Sequence, residues 1–247
     1  MPNAIIDPAS LSYIGITLFI AWLSGGFSKF YFRITNGIII QAGLIAALIG
    51  LISILQNMSD PKKLGPDMAV GLLPIFYAMI LSAGNFLVSK NLTLIVPDPK
   101  KIYQIGALFL WGLLLVLAVT QSSGLAPFVD GISAMFIALC ITMIFLVDRF
   151  QEGNSFLKNT ATYLPYAGLI GFLMGLIGVL QNISDPRSIG PSMAISLLTL
   201  TYSNIISVAI KLTNPVFNEK TDNLLWNYLG ICLLLIAVLF IALLASF

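Results

Sequence analysis

The sequence predicts an all-α, polytopic membrane protein of about eight transmembrane helices, arranged as two parallel four-helix repeats with both termini outside. Three observations carry this expectation. Of the 247 residues, 58% are hydrophobic and only 9% charged, whereas a soluble domain carries about a quarter charged residues. The apolar residues fall in blocks of about 17 to 24, each long enough to cross a hydrocarbon core about 30 Å thick. Finally, Ala42 to Ser82 aligns without a gap to Ala167 to Ser207, with more than half of the positions identical.

Apolar runs between polar breaks place the helices at roughly 10–27, 38–56, 67–89, 103–121, 130–148, 162–181, 191–211 and 224–246. The first is the weakest, because Gly25 and Gly26 interrupt it. Orientation follows from the basic residues, since cytoplasmic loops carry an excess of Lys and Arg. Lys29, Arg33, Lys90, Lys100, Lys101, Arg149, Lys158, Lys211 and Lys220 fall in alternate loops, against Lys62, Lys63 and Arg187 in the others. Both termini are therefore expected outside. The opening MPNAIIDPAS lacks a basic segment before a short apolar core and does not read as a cleaved signal peptide. Cys140 and Cys232 lie inside expected spans and read as small packing residues.

A weaker match, Ile5–Ser10 with Phe128–Ser133, leads into a span in each half. The offset of about 125 residues covers four spans, an even number, so the halves share one orientation. Inverted-repeat transporters have the opposite relation. The expected divisions are 1–101, 102–223 and a final helix at 224–247.

Each half carries the loop Gln-Asn-x-Ser-Asp-Pro-x-x-x-Gly-Pro between an outgoing and a returning helix. Its members are Gln56, Asn57, Asp60, Pro61 and Pro66 in one half and Gln181, Asn182, Asp185, Pro186 and Pro191 in the other. Pro61 and Pro186 stop the first helix, and Pro66 and Pro191 stand in a first turn, where a missing N–H costs nothing. The polar side chains suit turn and cap chemistry, with ion entry as the competing use. On the helix before the loop, Gly168, Gly171, Gly175 and Gly178 recur at spacings of three and four, matched by Gly43, Ala46, Gly50 and Ser53. A stripe of small residues lets transmembrane backbones approach closely. On the helix after it, Ser196, Thr199, Ser203 and Ser207 form a hydroxyl stripe, matched by Gly71, Pro74, Ala78 and Ser82, with Pro74 expected to kink its helix. Hydroxyls on such a stripe either bond a neighbouring helix or line a wet path.

Every Asp, Glu, Lys and Arg can be placed in a loop or at a span end, with Asp130 and Asp148 bordering the fifth helix and Lys211 ending the seventh. Ion carriers ordinarily hold an ionisable group inside the membrane. With no histidine, no cysteine cluster and no glycine-rich phosphate loop, the chain offers no metal-ligand set, no cofactor site and no general acid or base at depth. An enzyme is not expected, and a net charge of +2 gives no reason to expect nucleic acid as a partner.

The hairpin GLIGVLQNISDPRSIGPSMAISLLTLTY resembles the third and fourth transmembrane helices of MotA/PomA stator subunits in the MotA/TolQ/ExbB family, and the stretch from Ile105 through FVDGIS to Phe145 resembles the first and second. Tyr103 to Lys211 would then be one complete stator-like unit. Ile5 to Lys90 resembles helices two to four of a second unit, whose helix one is matched by Leu224 to Phe247. The resemblance implies a stator-like subunit of the bacterial inner membrane, driven by protons or sodium. It implies a homo-oligomer in the lipid bilayer, forming a helical ring around a one-span MotB/ExbD-like partner that carries the ion-binding aspartate. Ser196, Thr199, Thr201, Ser203 and Ser207 would then face the ion path or the partner.

Three departures set limits. Only Arg149 to about Ala161, and Lys29 to about Gly37, stand where the family holds a large cytoplasmic domain. The family's paired threonine positions hold Phe172 and Leu200 in one half and Ala47 and Ile75 in the other, with Thr199 and Thr201 flanking Leu200. Two units are fused, whereas the family assembles five single-unit chains. A non-conducting membrane scaffold descended from such a subunit is the competing expectation.

Overall fold

The computed structural model describes residues 6–29, 31–56, 67–89, 100–151, 155–181, 186–214 and 227–237. The fold is all-α: α1 (Pro8–Ser24), α2 (Tyr31–Gln56), α3 (Leu73–Ser89), α4 (Lys101–Ser122), a 3-10 turn (Ala126–Phe128), α5 (Gly131–Phe150), α6 (Phe156–Gln181), α7 (Pro186–Thr213) and α8 (Asn227–Ala237). Six stretches are long and apolar enough to cross a membrane, namely Tyr31–Gln56, Asp67–Ser89, Lys101–Ser122, Ala126–Phe150, Phe156–Gln181 and Met193–Thr213; α1 and α8 are shorter apolar helices.

Helices α2 and α6 start six or seven residues earlier than their apolar runs. Polar residues such as Arg33, Asn36, Lys158 and Asn159 end the hydrocarbon-compatible stretch but still favour or tolerate helix, so the change in polarity marks the membrane edge and not the helix end. Helix α7 likewise begins at Pro186, not near Pro191, because a proline is well placed at a helix's first position. Helical residues 67–71 and α3 are separated by a turn at Leu72, next to Pro74. Proline has no N–H to continue the ladder, which accounts for the irregularity. Helix α1 stops at Gly25; Gly26 (φ 62°) and Phe27 (φ 60°) then turn the chain through the left-handed region, with the Phe27 ring packed on Trp22 at 4.6 Å and Tyr103 at 5.6 Å.

Burial separates core from rim. In the spanning window of α2, 78% of residues are buried, against 11% in the stretch containing α5, so α2 sits inside the bundle and α5 presents its apolar side chains outward. Helix α6 packs along α7, α2 along α3, and α2 also along α7, which ties the first half of the chain to the second.

The same local contacts occur twice. The Asp7 amide donates to the Tyr77 hydroxyl at 3.1 Å, and the Asp130 amide to the Tyr202 hydroxyl at 3.1 Å. Each aspartate also caps its helix: Asp7 Oδ2 accepts from the Ser10 amide at 2.8 Å, and Asp130 Oδ2 from the Ser133 amide at 2.7 Å. The Ser10 hydroxyl and amide hold the Asp7 carboxyl below its ordinary range, against a smaller opposing effect of burial. A depressed folded-state pKa contributes stability that is present above the unfolded value of about 3.9 and is lost as pH falls through the folded value. Asp7→Ala is therefore expected to cost about 1 kcal/mol near neutral pH. Melting temperatures in detergent should show this difference shrinking as pH falls below 4, and a difference that does not depend on pH would contradict it.

Candidate functional site

The polar groups at membrane depth gather along α7 and the helices it meets. Ser196, Thr199, Thr201, Ser203 and Ser207 are all buried. Their hydroxyls bond to backbone: Ser196 to the Met193 carbonyl (2.7 Å), Thr201 to Leu197 (2.8 Å), Ser203 to Leu200 (2.9 Å), and Thr199 to Ser196 (2.9 Å) and across to Gly168 (3.3 Å). Ser196, Thr199 and Ser203 face the glycine stripe of α6. A Cβ at Gly168 would collide with Ser203 and stand 2.9 Å from the Thr199 carbonyl. One at Gly171 would meet Thr199 Oγ1 at 3.0 Å and Phe136 at 2.8 Å, and one at Gly175 would collide with Ser196. In the first half, Gly43 closes on Ala78 and the Pro74 carbonyl, and Gly50 on Gly71. A Cβ at Gly178 would meet nothing within 4 Å. Ser196, Thr199 and Ser203 are thus turned into the α6–α7 contact.

Ser207 has a further task. Pro165 lies inside α6 and cannot donate to the carbonyl four residues back, at Ala161. The Ser207 hydroxyl donates to that Ala161 oxygen at 2.5 Å. A buried carbonyl left without a donor costs about 1–3 kcal/mol. Ser207→Ala is therefore expected to destabilise by about that amount, and Pro165→Ala should restore most of the loss by returning the backbone donor. Chemical denaturation of the single and double variants checks this; additive losses would overturn it.

Beyond the hydroxyl stripe lies a network centred on Lys211. Its position two residues before the end of α7 is where the sequence puts a water-facing charge, yet the side chain is only 2% exposed. Lys211 Nζ donates to the Gly37 carbonyl at 3.1 Å and to Gln41 Oε1 at 2.7 Å. Gln41 Nε2 donates to Asn204 Oδ1 and Ser207 Oγ, both at 3.3 Å, and Asn204 Nδ2 to the Tyr228 hydroxyl at 2.7 Å. Gln41, Asn204 and Tyr228 are at most 1% exposed. A span-end position gives a lysine access to water only if its helical face is open, and here α2 covers that face. Periodicity of apolar residues hides this network; the signal was Gln41 and Asn204 standing inside otherwise apolar runs.

The described carboxylates all lie at helix ends. Asp7 and Asp130 are caps, Asp67 opens the helical stretch before α3, and Asp148, two residues before the end of α5, accepts from Asn159 Nδ2 at 2.9 Å. Among the described residues no group of three His, Cys, Asp or Glu side chains is placed to hold a metal. Cys140 and Cys232 are free thiols, Cys232 fully buried.

Between α1, α2, α3 and α4 lies a cleft of about 430 Å³, lined by Asp7, Tyr13, Gly50, Gly71, Pro74 and Gln121 among others. Gly71 and Pro74 occupy the repeat positions of Ser196 and Thr199, so this half lacks the side chains that fill the α6–α7 contact. Of the loop residues, Gln56 ends α2 and its Nε2 donates to the Pro127 carbonyl at 3.3 Å, Gln181 ends α6, and Pro186 and Pro191 lie in α7. Asn57, Asp60, Pro61, Pro66, Asn182 and Asp185 lie outside the described residues.

Residues 134–228 match the MotA/TolQ/ExbB proton channel family. The chain is similar to the chemotaxis protein PomA of Vibrio alginolyticus, 37% identical over 106 residues, which are 42% of this chain and 40% of that protein. It is similar to motility protein A of Aquifex aeolicus, 40% identical over 62 residues, 25% of this chain and 24% of the relative. It is also similar to YtxD of Bacillus subtilis, an uncharacterized protein, at 34% over 79 residues, 31% of this chain and 28% of the relative. The matched stretches thus cover between 24% and 40% of these relatives' lengths. No solved structure matches.

Proposed function

We propose, from the match of residues 134–228 to the MotA/TolQ/ExbB family and the six apolar spans among the described residues, that the chain is a multi-pass inner-membrane protein of that type and the ring-forming subunit of an ion-driven complex. It is built as two parallel four-helix units with both termini outside, α4–α7 forming one unit and α1–α3 with the last helix forming the other. Copies surround a one-span MotB/ExbD-like partner, and proton or sodium movement past that partner does mechanical or transducing work. One observation carries the reading: every described carboxylate lies at a helix end, so an ion crossing the bilayer needs an acidic group from elsewhere, since an unpaired ion in an apolar interior is costly. The α7 hydroxyls and the α6 glycines set the spacing of the helices that the partner meets. Chemical cross-linking in native membranes followed by purification of this chain tests the proposal. A one-span protein with an acidic residue near the start of its span is the expected product, and recovery of the chain with no such protein would defeat the proposal.

One observation favours a second reading, a non-conducting scaffold. The five α7 hydroxyls that would face an ion path are bonded to backbone. In addition, α5 ends at Phe150 and α6 begins at Phe156, leaving no room between them for a rotor-contacting domain.

A further inference from the structure

The cleft between α1, α2, α3 and α4 lies where the two halves of the repeat are filled differently. In the second half, Phe136, Ser196 and Thr199 close on the α6 glycines: an added Cβ would stand 2.8 Å from Phe136 at Gly171 and would collide with Ser196 at Gly175. Their counterparts in the first half are Tyr13, Gly71 and Pro74, and all three line the cleft of about 430 Å³. The serine side chain and the threonine hydroxyl are gone, and the phenylalanine position has gained a hydroxyl. The volume falls in the range of about 300–1,000 Å³ that small-molecule sites occupy.

That hydroxyl has no partner. Tyr13 and Trp111 are buried with ring centroids 6.5 Å apart, and neither the Tyr13 hydroxyl nor Trp111 Nε1 makes a hydrogen bond. Leaving two neighbouring donors unmade is costly, and an acceptor oxygen brought between α1 and α4 relieves it. Asp7 is the one charged residue of the lining, and Ser10 holds its carboxyl below the ordinary range, so it is ionised near neutral pH. Six residues separate Asp7 from Tyr13, about 9 Å along a helix, while the headgroup layer is about 5–7 Å deep on each side of a bilayer. A negative charge at headgroup level therefore stands over an unpaired donor at the top of the hydrocarbon. The remaining walls are largely apolar, and Ile16 of α1 and Leu117 of α4 are 46% and 47% exposed, so the cleft opens toward lipid between these two helices.

We propose that the cleft holds an aminophospholipid, with its ammonium group against Asp7, an ester carbonyl accepting from Tyr13, and one acyl chain along the apolar walls. Charge decides the head group: a phosphatidylglycerol would bring its net negative charge to Asp7, and no lysine or arginine lines the cleft to offset it. The second half carries the same aspartate cap at Asp130, but Phe136 offers no donor and Ser196 and Thr199 take up the space, so this chemistry belongs to the first half. Bound there, the lipid joins α1 of the first half to α4 of the second, whatever ions the complex moves.

Lipid retention by the full chain tests it. The protein, purified in detergent and stripped of lipid, is titrated with dioleoyl phosphatidylethanolamine or dioleoyl phosphatidylglycerol, and bound lipid is counted by native mass spectrometry. The unaltered chain should retain one phosphatidylethanolamine in preference to phosphatidylglycerol. Asp7→Asn keeps a capping side chain and should cut that preference about two- to fivefold, as loss of a partly exposed ion pair does. Tyr13→Phe installs the residue of the second half and should weaken retention of both lipids about two- to tenfold, as loss of one hydrogen bond does. Ala118→Phe, in the α4 wall, should fill the cleft and abolish the adduct, and Asp130→Asn should leave it unchanged. Equal retention of the two lipids by the unaltered chain, a preference that survives Asp7→Asn, or an equal loss in Asp130→Asn would each overturn the proposal. If Ala118→Phe fails to fold, Asp7→Asn and Tyr13→Phe decide.

Discussion

Gly168→Leu should abolish accumulation of folded protein, and Gly168→Ala should already cost about 2 kcal/mol, in the range of overpacking a close contact. A Cβ there meets Ser203 and, at 2.9 Å, the Thr199 carbonyl. Backbone cannot swing aside as a side-chain tip can, so α6 and α7 must separate along their length. Gly112, on α4, has nothing within 4 Å of an added Cβ, and Gly112→Ala should change stability by no more than about 0.5 kcal/mol. Unfolding in detergent, with membrane expression level as a second readout, compares them. Equal tolerance at both sites would mean that α6 and α7 are not held at this distance.

Gln41→Leu should be the most damaging change in the polar network, costing about 3–5 kcal/mol, as removal of one partner of a buried charge does. It takes an acceptor from Lys211 Nζ and a donor from Asn204 at once. Lys211→Met is expected to cost less, about 1–3 kcal/mol, because it removes the charge and leaves neutral groups. Combining the two should recover part of the Gln41→Leu loss, giving a coupling of about 1–3 kcal/mol in the double-mutant cycle. Simple additivity would show that the lysine does not depend on Gln41 when folded.

Much of the helical layout was legible because hydrocarbon thickness imposes a length that composition displays directly. The ends of α2, α6 and α7 were less so, since Arg33, Lys158 and Pro186 are all compatible with helix beyond the apolar run. The site was legible only as residue types in a pattern. Hydroxyls at spacings of three and four are visible along Ser196 to Ser207, but which helix they meet depends on tertiary packing. Likewise, nothing local distinguishes a lysine that reaches water from Lys211, which is turned toward Gly37 and Gln41 on a helix 170 residues away in the chain. The repeat provided the missing comparison. A position that changes from Phe86 to Lys211 between otherwise matching helices marks a change of surroundings, which a single helix would not reveal.

Ion movement through the proposed complex requires an acidic group that the described residues of this chain do not place inside the bilayer. Flux of protons or sodium into liposomes tests it most directly, using the chain alone, the chain with its copurified one-span partner, and the chain with that partner's membrane aspartate changed to asparagine. The account predicts flux above the empty-liposome level only in the second case. Flux through the chain alone, or flux that survives the aspartate substitution, would contradict it.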